Sequence, residues 1–315
     1  MKPIQHFILT LAAMIAFAGN SLLCRAALRQ TEIDAASFTF IRLFSGALVL
    51  WLIMEFRKKL SVERTASPLV ERSFDSSPVT RLPRQSHAKA GHSSLQQAGT
   101  WLSALALFAY AAAFSFAYNS LSAGTGALLL FGAVQATMIL WGLRQGERLH
   151  ARQLIGLALA AGGLVLLVLP GLSAPPLGGS ALMLGAGVAW GVYSLRGKGE
   201  KNPISATAGN FLRAVPFAAL LSITFFPWAR IDRAGLVYAI LSGAIASGLG
   251  YVIWYTALSS LKAASAATVQ LSVPVLAATG GILLLGEPLT VRFLLASGAV
   301  LGGIALVVIE KRAAA

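Results

Sequence analysis

The sequence predicts an all-α integral membrane protein of ten transmembrane helices, arranged as two inverted five-helix repeats. Three observations predict it. Hydrophobic residues fill 57% of the 315 positions and charged residues only 11%, with a mean hydropathy of +0.74; a soluble domain carries about 25% charged residues. The apolar residues fall into stretches of about 20, the length that crosses ~30 Å of hydrocarbon at ~1.5 Å per residue. The chain also repeats itself. Gly146-Glu147-Arg148-Leu149 returns as Gly286-Glu287-Pro288-Leu289, Arg152 as Arg292, Gly162-Gly163 as Gly302-Gly303 and Ser120-Leu121 as Ser260-Leu261, all at one offset. At a second, wider offset Arg25 returns as Arg196, Phe40 as Phe211 and Arg42 as Arg213. The difference between the offsets is an insertion in the first half.

The first stretch, 8–25, follows Lys2 but is too long for the core of a signal peptide. It lacks a small-residue cleavage site and pairs with the sixth stretch, so it reads as a retained helix. The second, 36–54, carries Arg42 and leads into 56–99, a Ser-, Arg- and Pro-containing stretch without helical apolar period. That insertion reads as a disordered loop, whose Arg57-Lys58-Lys59 cluster suits anionic lipid headgroups. The third and fourth stretches, 100–118 and 122–143, are joined by a short turn. The fifth, 152–169, begins after the first Gly-Glu turn and stops at the uncharged linker Pro170 to Pro176.

Residues 1–170 form the first repeat and 177–315 the second. The latter supplies stretches at 178–195, 205–227 (with Arg213), 234–258 (with Gly243, Gly248 and Gly250), 263–285 (with Pro274) and 291–309. Five is odd, so the second repeat enters the membrane with the opposite orientation to the first, and a shared site is expected near the midplane.

The net charge of +14 is distributed by topology. With the N-terminus inside, eighteen Lys/Arg fall on the cytoplasmic side and five, namely Arg25, Arg29, Arg230, Arg233 and Arg292, outside. This positive-inside bias sets both termini in the cytoplasm of a bacterial inner membrane and argues against a nucleic-acid partner. Cys24 is the lone cysteine, so an intrachain disulfide is excluded. No Asp or Glu lies mid-span, the four histidines fall outside the spans, and neither His-Glu-x-x-His nor a phosphate-binding Gly-Lys-Ser/Thr loop occurs. A metal site, an ATP motor and a cofactor are unsupported, and the protein is read as no enzyme.

The doubled Gly-Glu-x-Leu turns, Arg42 and Arg213 near the starts of the second and seventh stretches, the Ala/Ser-rich opening of the ninth with Pro274, and the Gly-Gly pairs of the fifth and tenth carry a resemblance. In their order and doubling the chain resembles the EamA-like family of the drug/metabolite transporter superfamily, over nearly all its length except 56–99. The resemblance implies a secondary transporter moving amino acids, related metabolites or toxic small molecules. It also implies a cavity lined by the first, third, fourth, sixth, eighth and ninth helices. The sequence departs from the family where Val134 stands opposite Pro274, since members carry a proline in the fourth helix too.

Polar groups inside spans mark the candidate site, because an unsatisfied one facing hydrocarbon costs several kcal/mol. Asn20, Gln135 and Gln270 supply amides; Tyr193, Tyr251 and Tyr255, with Tyr110, Trp190 and Trp254, supply aromatic faces that hold cations or apolar groups. These form the expected substrate-binding set, and interhelical hydrogen bonding or plain packing is the competing reading. Arg42 and Arg213 are expected as matched gating or structural contacts to loop carbonyls or a carboxylate, within snorkelling reach of an interface; direct binding of a substrate carboxylate is the sharper alternative. Glu147 and Glu287 are expected to cap the helices that follow them. Pro274 is expected as a structural or gating kink, and Gly156, Gly162, Gly163, Gly298, Gly302 and Gly303 as close-packing positions. The expected function is alternating-access movement, outward, of small polar or amphipathic metabolites. Membrane lipid and a second copy of the chain are candidate partners. An integral-membrane enzyme on a lipid-linked substrate, or a non-transporting sensor or assembly subunit, is the alternative.

Overall fold

A computed structural model describes residues 3–66, 98–146, 150–171, 174–197, 200, 202–258 and 269–310. Among them the chain is helical, with short turns. The helices are α1 (Pro3–Gln30), α2 (Ala35–Ala66), α3 (Trp101–Tyr118), α4 (Ala123–Arg144), α5 (Ala151–Val168), α6 (Leu177–Gly197) and α7 (Pro203–Thr224). There follow α8 (Arg233–Ile240), a π-helical stretch Leu241–Leu249, α9 (Gly250–Leu258), α10 (Ser272–Leu285) and α11 (Val291–Glu310). Among the described residues, seven helical stretches are long and apolar enough to cross a bilayer, the run Arg233–Ala257 counting as one; Ser272–Leu285 and Val291–Val307 are shorter apolar helices, and α6 adds 21 residues. The predicted 56–99 loop is corrected at its start, because α2 continues as helix to Ala66. Residues 67–97 lie outside the described residues, as does Glu147.

Helix starts are set by short polar side chains that accept the orphan N–H groups of the first turn. Thr100 accepts from Ser103, Ser122 from Thr125 and Asn202 from Ser205, the last with Pro203 leading α7. The Asp34 carboxylate accepts from Ala36 and Ser37, both at 2.9 Å. The two Gly-Glu turns are alike in backbone: Gly146 (φ +88°) and Gly286 (φ +65°) are left-handed, a conformation that glycine adopts without a Cβ clash.

Packing follows a pattern that exchanging the two halves leaves unchanged. α1 against α8 and α9 matches α3 against α6; α1 against α10 matches α4 against α6; the π stretch against α2 matches α3 against α7. α2 with α7, α4 with α10 and α5 with α11 close the set, each pairing a helix with its sequence counterpart. Lipid offers no hydrophobic gain for helix association, so close approach and hydrogen bonds hold such contacts. At the α5–α11 seam a Cβ on Gly156 would stand 2.5 Å from the Gly303 carbonyl oxygen, and one on Gly303 2.4 Å from that of Gly156. Gly163 likewise abuts Ala299 and Val300, whereas Gly162, Gly298 and Gly302 meet nothing within 4 Å and are not packing positions. Large apolar side chains such as Phe7, Ile155, Leu220 and Leu283 stand exposed around the bundle, as a lipid-facing surface requires.

Candidate functional site

At the centre, between the halves, lies a buried cluster of polar and aromatic groups. α1 brings Phe17, Asn20 and Ser21; α2 brings Arg42; α3 brings Tyr110 and Phe114. α6 brings Trp190, the π stretch Ser242 and Ser247, and α9 Tyr251. Ser242 donates to Asn20 Oδ1 at 2.7 Å, and Asn20 Nδ2 donates to the Tyr110 hydroxyl at 3.4 Å. The same hydroxyl accepts from Arg42 Nη2 at 3.1 Å, while Arg42 Nε donates to Ser247 at 3.3 Å. Trp190 stacks obliquely on Tyr110 (4.8 Å between centroids) and on Tyr251 (5.1 Å), and Phe17 meets Tyr251 edge-on at 5.9 Å.

The π-helical stretch explains how two serines five residues apart serve one cluster. On an α-helix five residues turn the side chains about 140° apart. Where hydrogen bonding runs i→i+5, residues five apart come round toward the same face. Its glycines let it press against α2: a Cβ on Gly243 would lie 2.1 Å from both the Arg42 carbonyl oxygen and the Ser45 hydroxyl.

Arg42 does not snorkel. It is 1% exposed, its guanidinium carbon lies 4.9 Å from the Phe114 ring centroid and 5.3 Å from that of Tyr110, and Nη1 has no hydrogen-bond partner. Its sequence counterpart Arg213 is placed differently. It sits half-buried over Trp101 and donates to the carbonyls of Ala98 and Gly209. The expected common role is therefore corrected: Arg213 reaches loop and helix carbonyls, while Arg42 enters the core. A buried ion costs several kcal/mol in effective desolvation, so Arg42 is the most heavily penalised side chain of the cluster.

The other expected site residues scatter. Tyr193 and Tyr255 line a separate small recess near Asn210 and Arg196, at the end of the bundle where α6 stops and α7 starts. Gln135 is buried in α4 but is not a wall of the central void. Gln270 is half-buried in helical backbone, one residue before the turn at Leu271 that leads into α10. Pro274 follows an interruption: Val269 and Gln270 are helical, Leu271 is a turn, and helix resumes at Ser272, the place where a proline removes helical hydrogen bonding; a second interior proline, Pro216, lies in α7. Glu287 caps, but not its own helix. Oε2 accepts from Ala123 N–H at the start of α4 (2.8 Å), and Oε1 pairs with Arg25 at 3.0 Å. Arg25 also donates to the Tyr118 carbonyl at 2.8 Å. One end of the bundle is thus tied across the halves, beside a recess of about 390 Å³ walled by Glu287, Ser122 and Phe293.

The central void is about 20 Å³, room for about one water molecule, whereas small-molecule pockets run to about 300–1,000 Å³. The centre is closed in this conformation. Sequence reasoning missed Ser242, Ser247 and Phe114, because hydroxyls and phenylalanines are common in spans and carry no distinguishing spacing.

Comparison with known proteins adds a second line. The family model of the EamA-like transporter family matches residues 177–309. An uncharacterized protein of Pseudomonas aeruginosa is 54% identical over 311 residues, 99% of this chain and 97% of its own. An uncharacterized transporter of Archaeoglobus fulgidus is 30% identical over 199 residues, 61% of this chain and 70% of its own. The threonine/homoserine exporter RhtA of Escherichia coli K12 is 35% identical over 130 residues, 39% of this chain and 42% of its own. A solved crystal structure overlays with a TM-score of 0.63 across 98% of both chains at 15% identity, a likeness of fold.

Proposed function

The chain belongs to the EamA-like transporter family, and on that premise we propose that it exports small polar or amphipathic metabolites, amino acids or related compounds, by alternating access. In this reading ten spans form two inverted five-helix repeats in a bacterial inner membrane, with both termini cytoplasmic. The observation that carries the proposal is the closed polar–aromatic centre, to which both halves contribute and in which Asn20, Tyr110 and Tyr251 meet. Polar groups buried between membrane helices are costly and mark solute pathways. A void too small for a metabolite fits a protein that opens to one side at a time.

Exchange-related packing of the halves supports the inverted repeat, and the excess of Lys/Arg in the 55–99, 144–152 and 196–201 segments supports the orientation. The partial similarity to RhtA supports the substrate class and the outward direction. The test is efflux from proteoliposomes loaded with radiolabelled amino acids. The proposal expects saturable, protein-dependent loss of at least one of them, threonine and homoserine first. Loss no faster than from protein-free liposomes across all of them would contradict it.

A further inference from the structure

Resting on the transporter reading, we infer that Arg42 and Tyr110 form the receptor for a carboxylate, so that the transported solutes are compact monocarboxylates. The inference starts from hydrogen bonds left unmade. The Tyr110 hydroxyl accepts twice, from Asn20 Nδ2 and from Arg42 Nη2, so its own proton is left for an acceptor. Arg42 Nη1 is buried and unpartnered. Nε and Nη2 are anchored on Ser247 and Tyr110, so the guanidinium is held while its free nitrogen stays available. Two unspent donors therefore stand in one cluster, and a carboxylate has two oxygens to receive them.

The charge count agrees. Among the described residues the ion pairs are Arg25 with Glu287 and Arg230 with Glu32, and Arg42 joins neither. The side chains against it are Tyr110, Phe114 and Ser247, all uncharged. Arg213, its counterpart in the repeat, has backbone carbonyls to receive its protons. A full positive charge in a buried cluster without an acid calls for an anion of charge minus one. Tyr110 and Phe114, the rings that flank the guanidinium, also wall the 20 Å³ void together with Phe17, Trp190 and Tyr251. That void would widen around the uncharged remainder of the solute, and its aromatic walls suit an apolar or weakly polar body over a second anionic group.

The test uses the purified full-length protein in lipid nanodiscs and measures its melting temperature with L-threonine, L-leucine and L-lactate. Each is compared with its amide: threoninamide, leucinamide and lactamide. At least one acid should raise the melting temperature in a saturable way while its amide leaves it unchanged. Arg42→Lys should weaken the apparent affinity at least tenfold, because a compact ammonium on one nitrogen does not reproduce the planar fork that reaches Ser247, Tyr110 and a carboxylate from three separate nitrogens; Tyr110→Phe should weaken it to a smaller degree. Without ligand, Arg42→Met should melt no lower than the parent, since it removes an unpaired buried charge; a merely structural arginine would lower it. The inference is overturned if no acid stabilises the protein, if amides match acids, if chloride alone gives the same stabilisation, or if Arg42→Lys binds unchanged. Acids that bind this way but do not cross proteoliposomes would defeat the transporter reading and leave the receptor standing.

Discussion

Asn20 is the hinge of the central cluster. Its carbonyl takes the Ser242 proton and its amide reaches Tyr110, so one side chain from α1 joins α3 and the π stretch. Truncation leaves a buried serine hydroxyl with no acceptor, a penalty of about 1–3 kcal/mol. Asn20→Ala should therefore lower the melting temperature by a few degrees and cut proteoliposome flux about tenfold. Flux at the parental level would take Asn20 out of the pathway. Asn20 was legible in the sequence because an amide in an apolar run has few uses. Arg42 was legible as an oddity but not in its place. Seven residues into α2 it stands within snorkelling distance of a helix end, and its burial among Tyr110, Phe114 and Ser247 comes from packing that the sequence does not spell out. Gln270 stands in helical backbone directly ahead of the turn at Leu271 that leads into α10.

Among the elements, the π-helical stretch Leu241–Leu249 departs furthest from what periodicity can predict. Apolar spacing in lipid-exposed helices is weak, and a change from i→i+4 to i→i+5 bonding leaves no compositional mark beyond a run of small residues. Gly243, Gly248 and Gly250 are that run, and in a membrane span small residues point as readily to close helix packing as to a wider turn. Since a Cβ at Gly243 would overlap the Arg42 backbone and Ser45, Gly243→Ala should push α2 away and lower stability by about 1–3 kcal/mol. A thermal melt matching the parent would show that α2 and the π stretch are not pressed together. By contrast, the glycines at the α5–α11 seam were readable, because the Gly-Gly pair recurs in both apolar stretches and small residues let helices approach; which of each Gly-Gly pair faces inward was not. The insertion divides similarly. Ala98 and Thr100 are hydrogen-bonded to Arg213 and Asn210 of α7, with Gly99 close against Asn210, so replacing 67–97 by a flexible linker of about 12 residues should preserve flux within about twofold. Failure of that variant to fold would assign the segment a structural part.

For the whole molecule, the doubled sequence pattern and the exchange-related packing tell one story, and the closed centre with a tied end tells the next. The helices were legible because hydropathy is a property of the chain, and the repeat remains a reading that the internal matches and the packing pattern support. The cross-half tie was not legible, because Glu287 was expected at its own helix and instead holds Arg25 and the start of α4. That tie joins the end of α1, in the first half, to the α10–α11 turn, in the second. If the halves part at this end during each cycle, fixing them together must stop transport.

The decisive measurement is proteoliposome efflux from a Cys24→Ala protein carrying Arg25→Cys and Glu287→Cys, before and after bridging the pair with a reducible bifunctional thiol reagent. The account predicts that bridging reduces flux to the protein-free rate and that reduction restores it. Undiminished flux through the bridged protein would contradict alternating access through the centre.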